Sequence, residues 1–156
     1  LAGKFQIKKF LSPSGGCLLC DPEFSKKLDD LVTYSKDFNI NDSYLLRLGR
    51  HFRLSPQCKL ILGRNEEENN KISSLSREKD MIFKIEKFPG PTALLRGNPT
   101  QREISLAAKI TISYSKGREF KDSEKYVIYK LLHDQKNYSI LISEVLEKKE
   151  FEDLVI

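Results

Sequence analysis

The sequence predicts an α+β domain: a mixed or mainly antiparallel sheet flanked by helices, in a single unit. Three observations carry this. Short strand-like segments recur at 51–54, 58–62, 80–86, 92–96 and 125–132. Between them lie segments with helical spacing and recognisable caps, above all at 101–115. The composition, 39% apolar and 31% charged over 156 residues, supplies one ordinary core and rules out wholesale disorder. With 8 glycines and 6 prolines the chain is neither collagen-like nor of low complexity.

Residues 1–16 are basic and end in Ser12-Pro13-Ser14-Gly15-Gly16, which reads as a linker from an upstream domain. The domain is expected over 17–156, with its best-supported part at 17–129. Asp21-Pro22 starts a helix, Asp as N-cap and Pro at the first turn, with Phe24, Leu28, Leu31 and Val32 on one face. Asn41-Asp42 starts a second, short helix that stops at Gly49. The alternation of His51-Phe52-Arg53-Leu54, followed by the apolar run at 58–62 between Pro56 and Gly63, predicts a hairpin. The segment 66–75 reads as a polar helix with Ile72 and Leu75 inward. Met81, Phe83 and Ile85 alternate with Ile82, Lys84 and Glu86 as a strand. Pro89-Gly90-Pro91 is a hard turn, and 92–96 a further strand. Thr100 and Glu103 form a capping box that opens the strongest helix. The segments 125–132 and 138–146 read as strands, with helix an alternative for the last ten residues.

Twenty-seven Lys and Arg against 22 Asp and Glu give a net charge of +5, which permits nucleic acid as a partner without requiring it. No apolar run approaches the roughly 20 residues of a membrane-spanning helix, and no signal peptide opens the chain. Three cysteines leave one unpaired if a disulfide forms, so reduced thiols and a cytoplasmic location are expected. Met81 is the sole methionine, and the chain is read as a segment of a longer protein.

Ser14-Gly15-Gly16 invites comparison with a pyrophosphate-binding loop, but Cys17-Leu18 follows and no apolar strand precedes it. It reads as an entry turn. Cys17-Leu18-Leu19-Cys20 has the spacing of half a metal site or of a redox pair. Its further ligands would have to come from Cys58, His51 or His133, and none has a paired spacing. A cluster on Cys17, Cys20 and Cys58 stays open beside the reading of two half-buried thiols. Arg47, Arg50, His51, Arg53, Lys59 and Arg64 crowd one segment, a density that suits phosphate oxygens as well as a solvated surface. Phe52 among them reads as core. Glu66-Glu67-Glu68 reads as the solvated face of its helix. No acid–base or nucleophile constellation stands out, and no cofactor is expected.

Four stretches follow one another in the order Gly63-Arg64-Asn65-Glu66-Glu67-Glu68-Asn69, residues 80–85, Pro89-Gly90-Pro91, and Ala107-Ala108 running to Tyr114-Ser115-Lys116. This order resembles the RNA-binding domain of the NFACT family of ribosome quality-control factors. That family carries Gly-Arg-Asn-x-x-Glu-Asn, an Asp-x-Trp-x-His strand, a Pro-Gly turn and a helix ending in Tyr-Ser-Lys. Ile82 stands at the tryptophan position and Lys84 at the histidine position. The segments from Gly15 to Pro22 and from Gly49 to Leu54 are similar to a variant of this domain at the C-terminus of PP-loop proteins related to tRNA 4-thiouridine synthetases. In that variant Gly-Gly-Cys-Leu-Leu-Thr-Asp-Pro precedes Gly-Arg-His-Phe-Arg, so Cys20 replaces a threonine and only Cys17 belongs to the pattern.

The resemblance implies a non-catalytic module that holds tRNA for an upstream PP-loop ATPase domain in tRNA thiolation. It assigns RNA contacts to Arg64, Asn65 and Asn69, to Lys84, to Lys116, and to Arg50, His51 and Arg53. Cationic and amide donors of this kind suit phosphate and 2′-OH groups and read little sequence. The alternative is a sulfur-handling domain, with Cys17 as a persulfide carrier or cluster ligand.

Overall fold

The computed structural model describes residues 18–119, 125–131 and 136–156; the expected linker over 1–16 and Cys17 lie outside them. Asp21 caps α1 (Pro22–Tyr34), its Oδ1 accepting from the backbone N–H of Glu23 and Phe24. On α1 the buried positions are Lys27 and Leu31, one turn apart. Val32, expected on that apolar face, is exposed instead. Helix α2 (Ile40–Leu45) starts earlier than expected. Its N-cap is Asn39, whose side chain accepts from Asn41 and Asp42 while the Asp42 carboxylate accepts from the Asn39 N–H.

The remaining elements are β1 (Arg50–Ser55), β2 (Cys58–Leu62), α3 (Glu66–Ser74), β3 (Met81–Ile85), β4 (Ala93–Gly97), α4 (Gln101–Ser113), β5 (Lys125–Leu131) and β6 (Asn137–Ile142). Thr100 and Glu103 make the expected capping box on α4. The strand expected over 138–146 stops at Ile142, and the chain closes with 3-10 turns over Lys148–Leu154.

The six strands form one sheet in the order β1-β2-β4-β3-β5-β6, and every neighbouring pair is antiparallel. The two sides of the sheet are different. One side, with Phe52, Leu60, Leu62, Phe83, Ala93, Leu95 and Val127, packs on Ile104, Ala107, Ala108 and other residues of α4 as the main core. The other side is covered over β1, β2, β4 and the start of β3, where Ile61, Leu94 and Ile82 meet Leu45 and Ile72 of α2 and α3. Beyond that, over the end of β3 and over β5 and β6, Lys84, Asn137 and Ser139 are exposed.

Two ion-pair clusters fasten the helices to the covered side. Asp30 of α1 accepts from Arg53 at 2.6 and 2.8 Å and from Lys59 at 2.7 Å. Burial raises the Asp30 pKa, but hydrogen bonds from Arg53 and Lys59 outweigh it and hold the carboxyl below its usual range. Arg96 of β4 reaches Asp80, Asp42 and the carbonyl of Leu75, tying α2 and the end of α3 to the sheet. Ion pairs this enclosed hold a geometry in place, and removing one partner leaves an uncompensated buried charge. At the sheet's β1 edge, the Ile156 N–H donates to the His51 carbonyl and Val155 bridges Phe52, so the C-terminal residues cover that edge.

Candidate nucleic-acid interface

Strand alternation sorts the cationic segment at 50–64. Side chains of successive residues leave a strand on opposite faces, so Arg50 shares a face with Phe52 while His51 and Arg53 share the other. The second face is the one under α1–α3. His51 is therefore 1% exposed. Its Nε2 lies 3.1 Å from the Leu45 carbonyl and 2.9 Å from that of Leu48, so Nε2 carries the proton and donates to both. Its Nδ1 has no hydrogen-bond partner. Burial, with Lys59 and Lys27 nearby, holds its pKa well below that of an ordinary imidazole. A ring so enclosed has no route to RNA, and the expectation that His51 contacts RNA is corrected accordingly. Arg53 is taken up by Asp30, and its guanidinium lies 4.5 Å from the centre of the Tyr34 ring.

Arg50 is exposed, its guanidinium 4.9 Å from the centroid of Tyr114. It lines a cleft of about 490 Å³ together with Gly63, Arg64, Asn65, Glu66, Asn69, the segment Pro89-Gly90-Pro91 and Tyr114, with Glu66 the single carboxylate against two arginines. Residues from four separate parts of the sequence thus meet in one place.

Hydrogen bonds and close contacts hold the cleft together. Glu68 accepts from the backbone N–H of Arg64 at 2.8 Å and of Gly49 at 3.2 Å, and its carboxylate lies 3.3 Å from Arg64 Nε. Glu68 is half-buried and therefore no part of a solvated acidic face, in contrast to the reading of the three glutamates together. The Asn69 Oδ1 accepts from the Thr92 N–H at 2.9 Å, joining the start of α3 to the proline turn. A Cβ on Gly63 would lie 2.1 Å from that same oxygen, so a larger residue there would displace the Asn69 amide from Thr92. A Cβ on Gly90 would lie 2.4 Å from Ile85 Cδ1 and 2.9 Å from Ser115 Cβ. The turn is closed further by the Lys116 N–H, which donates to the Pro89 carbonyl at 3.2 Å. These contacts explain why the Gly-Arg-Asn segment, the proline turn and Tyr114-Ser115-Lys116 occur together.

Of the sequence-predicted residues, Arg50, Arg64, Asn65 and Asn69 line the cleft, and Lys116 is exposed just behind the turn. Asn65 caps α3 through Oδ1, which leaves its amide N–H groups as donors. Lys84 lies elsewhere, exposed on the uncovered part of the sheet. Lys148, which the sequence reading left without a role, lies 5.1 Å from the centroid of Tyr114, so one aromatic ring carries two cations. Nothing in its local sequence marks it; only the return of the C-terminus to β1 brings it there. A neighbouring cleft of about 470 Å³ also includes Arg64, with Lys27 and Arg47, but Asp21 and Glu23 line it as well and offset its charge.

Cys58 is buried in the core, and burial pushes its thiol up to about 12, so it is no thiolate at neutral pH. Among the described residues no group of three or more His, Cys, Asp or Glu is placed to hold a metal ion.

Residues 49–153 match the family described as the NFACT protein RNA binding domain. The chain belongs to that family. It is thus an RNA-binding domain, and the match runs through β6 into the closing turns, past the last of the motifs. The α1–α2 segment precedes it. Among solved structures, the C-terminal part of the fibronectin/fibrinogen-binding protein from Streptococcus suis is similar, with a TM-score of 0.59 and 13% identity. That similarity covers 70% of this chain and 49% of the other, so this chain spans about half its length; at such identity it bears on the fold alone. No curated protein matches the sequence. No helix of the described residues is long and apolar enough to cross a membrane.

Proposed function

We propose that this NFACT-family domain binds tRNA, and that it serves as the tRNA-holding module of a PP-loop tRNA thiolation enzyme acting in the cytoplasm. One observation supports the site above all: Arg50, Arg64, Asn65 and the proline turn line a single cleft, although they come from distant parts of the chain. Two guanidinium groups and an amide beside an aromatic ring bind phosphate and 2′-OH groups without reading sequence. A thiolation enzyme needs that property, because it must hold the body of many tRNAs while chemistry proceeds elsewhere. Lys116 at the rim and Lys148 on Tyr114 extend the positive surface. The link to thiolation rests on the similarity of the segments around Cys17 and Gly49-Arg50-His51-Phe52-Arg53 to the PP-loop variant.

The sulfur-handling alternative depends on Cys17, which lies outside the described residues. No observation favours it over tRNA binding. The test is tRNA from cells lacking this protein, with thiolated uridine measured by mass spectrometry. The proposal predicts loss of the modification. Restoration is expected with wild type and with Cys17→Ser, and only weakly with Arg50→Ala combined with Arg64→Ala. Unchanged thiolation in the deletion would remove the enzymatic context, and failure of Cys17→Ser to restore it would favour the sulfur role.

A further inference from the structure

The uncovered part of the sheet carries a second groove, away from the cleft. It has a volume of about 290 Å³ and lies between Ser73 and Ser76 at the end of α3 and the strands β3, β5 and β6. In the strand register Lys84 is opposite Ile128, and Ile82 is opposite Lys130, which in turn pairs with Asn137. All five residues lie on one face of the sheet. Two isoleucines and two lysines therefore alternate as on a chequerboard, with each lysine diagonal to the other at roughly 7–8 Å. Asn137 adds an amide at the β6 side. Ser73 Oγ donates to the Asn69 carbonyl and Ser76 Oγ to that of Ser73, so their free lone pairs remain as acceptors. No carboxylate lines this groove among the described residues.

The geometry points to this groove as a seat for one unpaired nucleotide of a single-stranded RNA segment. The half-buried Ile128, bordered by the 8% exposed edge of Ile82, takes the face of a base. Lys84 and Lys130 meet the phosphates on either side of it. Asn137 and the serine oxygens meet polar base edges, which are free to be read only when the base is unpaired. The size is that of one nucleotide, and the charge is complementary to its phosphates. A duplex offers no such fit, because its bases are stacked inside and its phosphates lie on a convex surface. Beyond the end of β3, Lys87 lies 5.6 Å from the centroid of Tyr126 and leads toward the proline turn of the cleft. The acids flanking β3, Asp80 and Glu86, lie outside the groove, and Asp80 is held by Arg96.

This inference rests on the RNA-binding reading and adds the class of RNA and a second point of contact. The experiment compares a single-stranded oligouridine of about twelve nucleotides, a blunt duplex of the same length, and bulk tRNA, each titrated against the whole chain. The proteins are wild type, Lys84→Ala with Lys130→Ala, Asn137→Ala, and Arg50→Ala with Arg64→Ala, with thermal melts confirming that each is folded. The lysine pair is expected to weaken oligouridine binding roughly tenfold or more and duplex binding about twofold or less. Asn137→Ala, at an exposed strand position, is expected to move oligouridine in the same direction. Equal losses for oligouridine and duplex, or no loss of oligouridine affinity, would overturn the groove. The arginine pair judges the cleft separately: unchanged tRNA affinity there would contradict the proposed function while leaving the oligouridine comparison to decide the groove.

Discussion

Arg50 and Arg53 are three positions apart on β1 and have opposite surroundings: Arg50 is exposed at the cleft, and Arg53 is locked to Asp30. The density of cations over 47–64 was legible in the sequence, but their division was not. Asp30 lies 23 residues before Arg53 and 29 before Lys59, so no local spacing points to the pairing. Asp30→Ala leaves two cations enclosed without a counter-charge, and a loss of about 3–5 kcal/mol is expected from the shift in denaturant midpoint. His51 makes a second prediction. Its folded pKa lies well below 6.5, so the folded protein keeps the ring neutral while the unfolded chain takes a proton. The full stability is therefore present above about pH 6.5 and falls as the pH drops below it, by up to about 1.4 kcal/mol per pH unit. Denaturation between pH 7.5 and 5 measures this. His51→Gln, which cannot titrate, should show a shallower fall, and an identical pH profile for the two proteins would contradict the assignment.

The elements that begin or end on strong local signals were legible. The Asp21 cap, the Thr100–Glu103 box and the hairpin of β1 and β2 appear as read, while the bend between β3 and β4 falls at 86–88, just before Pro89. These depend on residues within a few positions of each other. Helix α2 started elsewhere because Asn39, two residues earlier, forms the reciprocal cap with Asp42. The end of β6 and the closing 3-10 turns depend on packing of Phe151 against Phe52 and Tyr114, contacts about 100 and 40 residues apart in the chain. Gly90 binds two elements together, the proline turn and the end of α4. Gly90→Val drives a side chain into Ile85 and Ser115, and a destabilisation of about 1–3 kcal/mol is expected. RNA affinity should fall with it, since the same turn lines the cleft. A variant that is destabilised yet binds RNA as wild type would separate the turn from the site.

At the scale of the whole molecule, the sheet divides the surface by function. One side is filled by α4, the other is closed by three helices over β1, β2 and β4, and the cleft sits where the loops of both meet. The fold class was legible because period-two and helical patterns alternate along the chain. The convergence of the motifs was not, since strand order places β4 between β2 and β3 and only that arrangement brings Arg64 beside the Pro89–Pro91 turn. The net charge of +5 is modest, so the account requires the cations to act from one place. Bulk tRNA titrated against the chain across roughly 50–200 mM salt tests this directly. Wild type should lose affinity steeply, and Arg50→Ala with Arg64→Ala should bind more weakly with a log–log salt slope shallower by about two. An unchanged slope and affinity in the double variant would contradict the cleft as the RNA site.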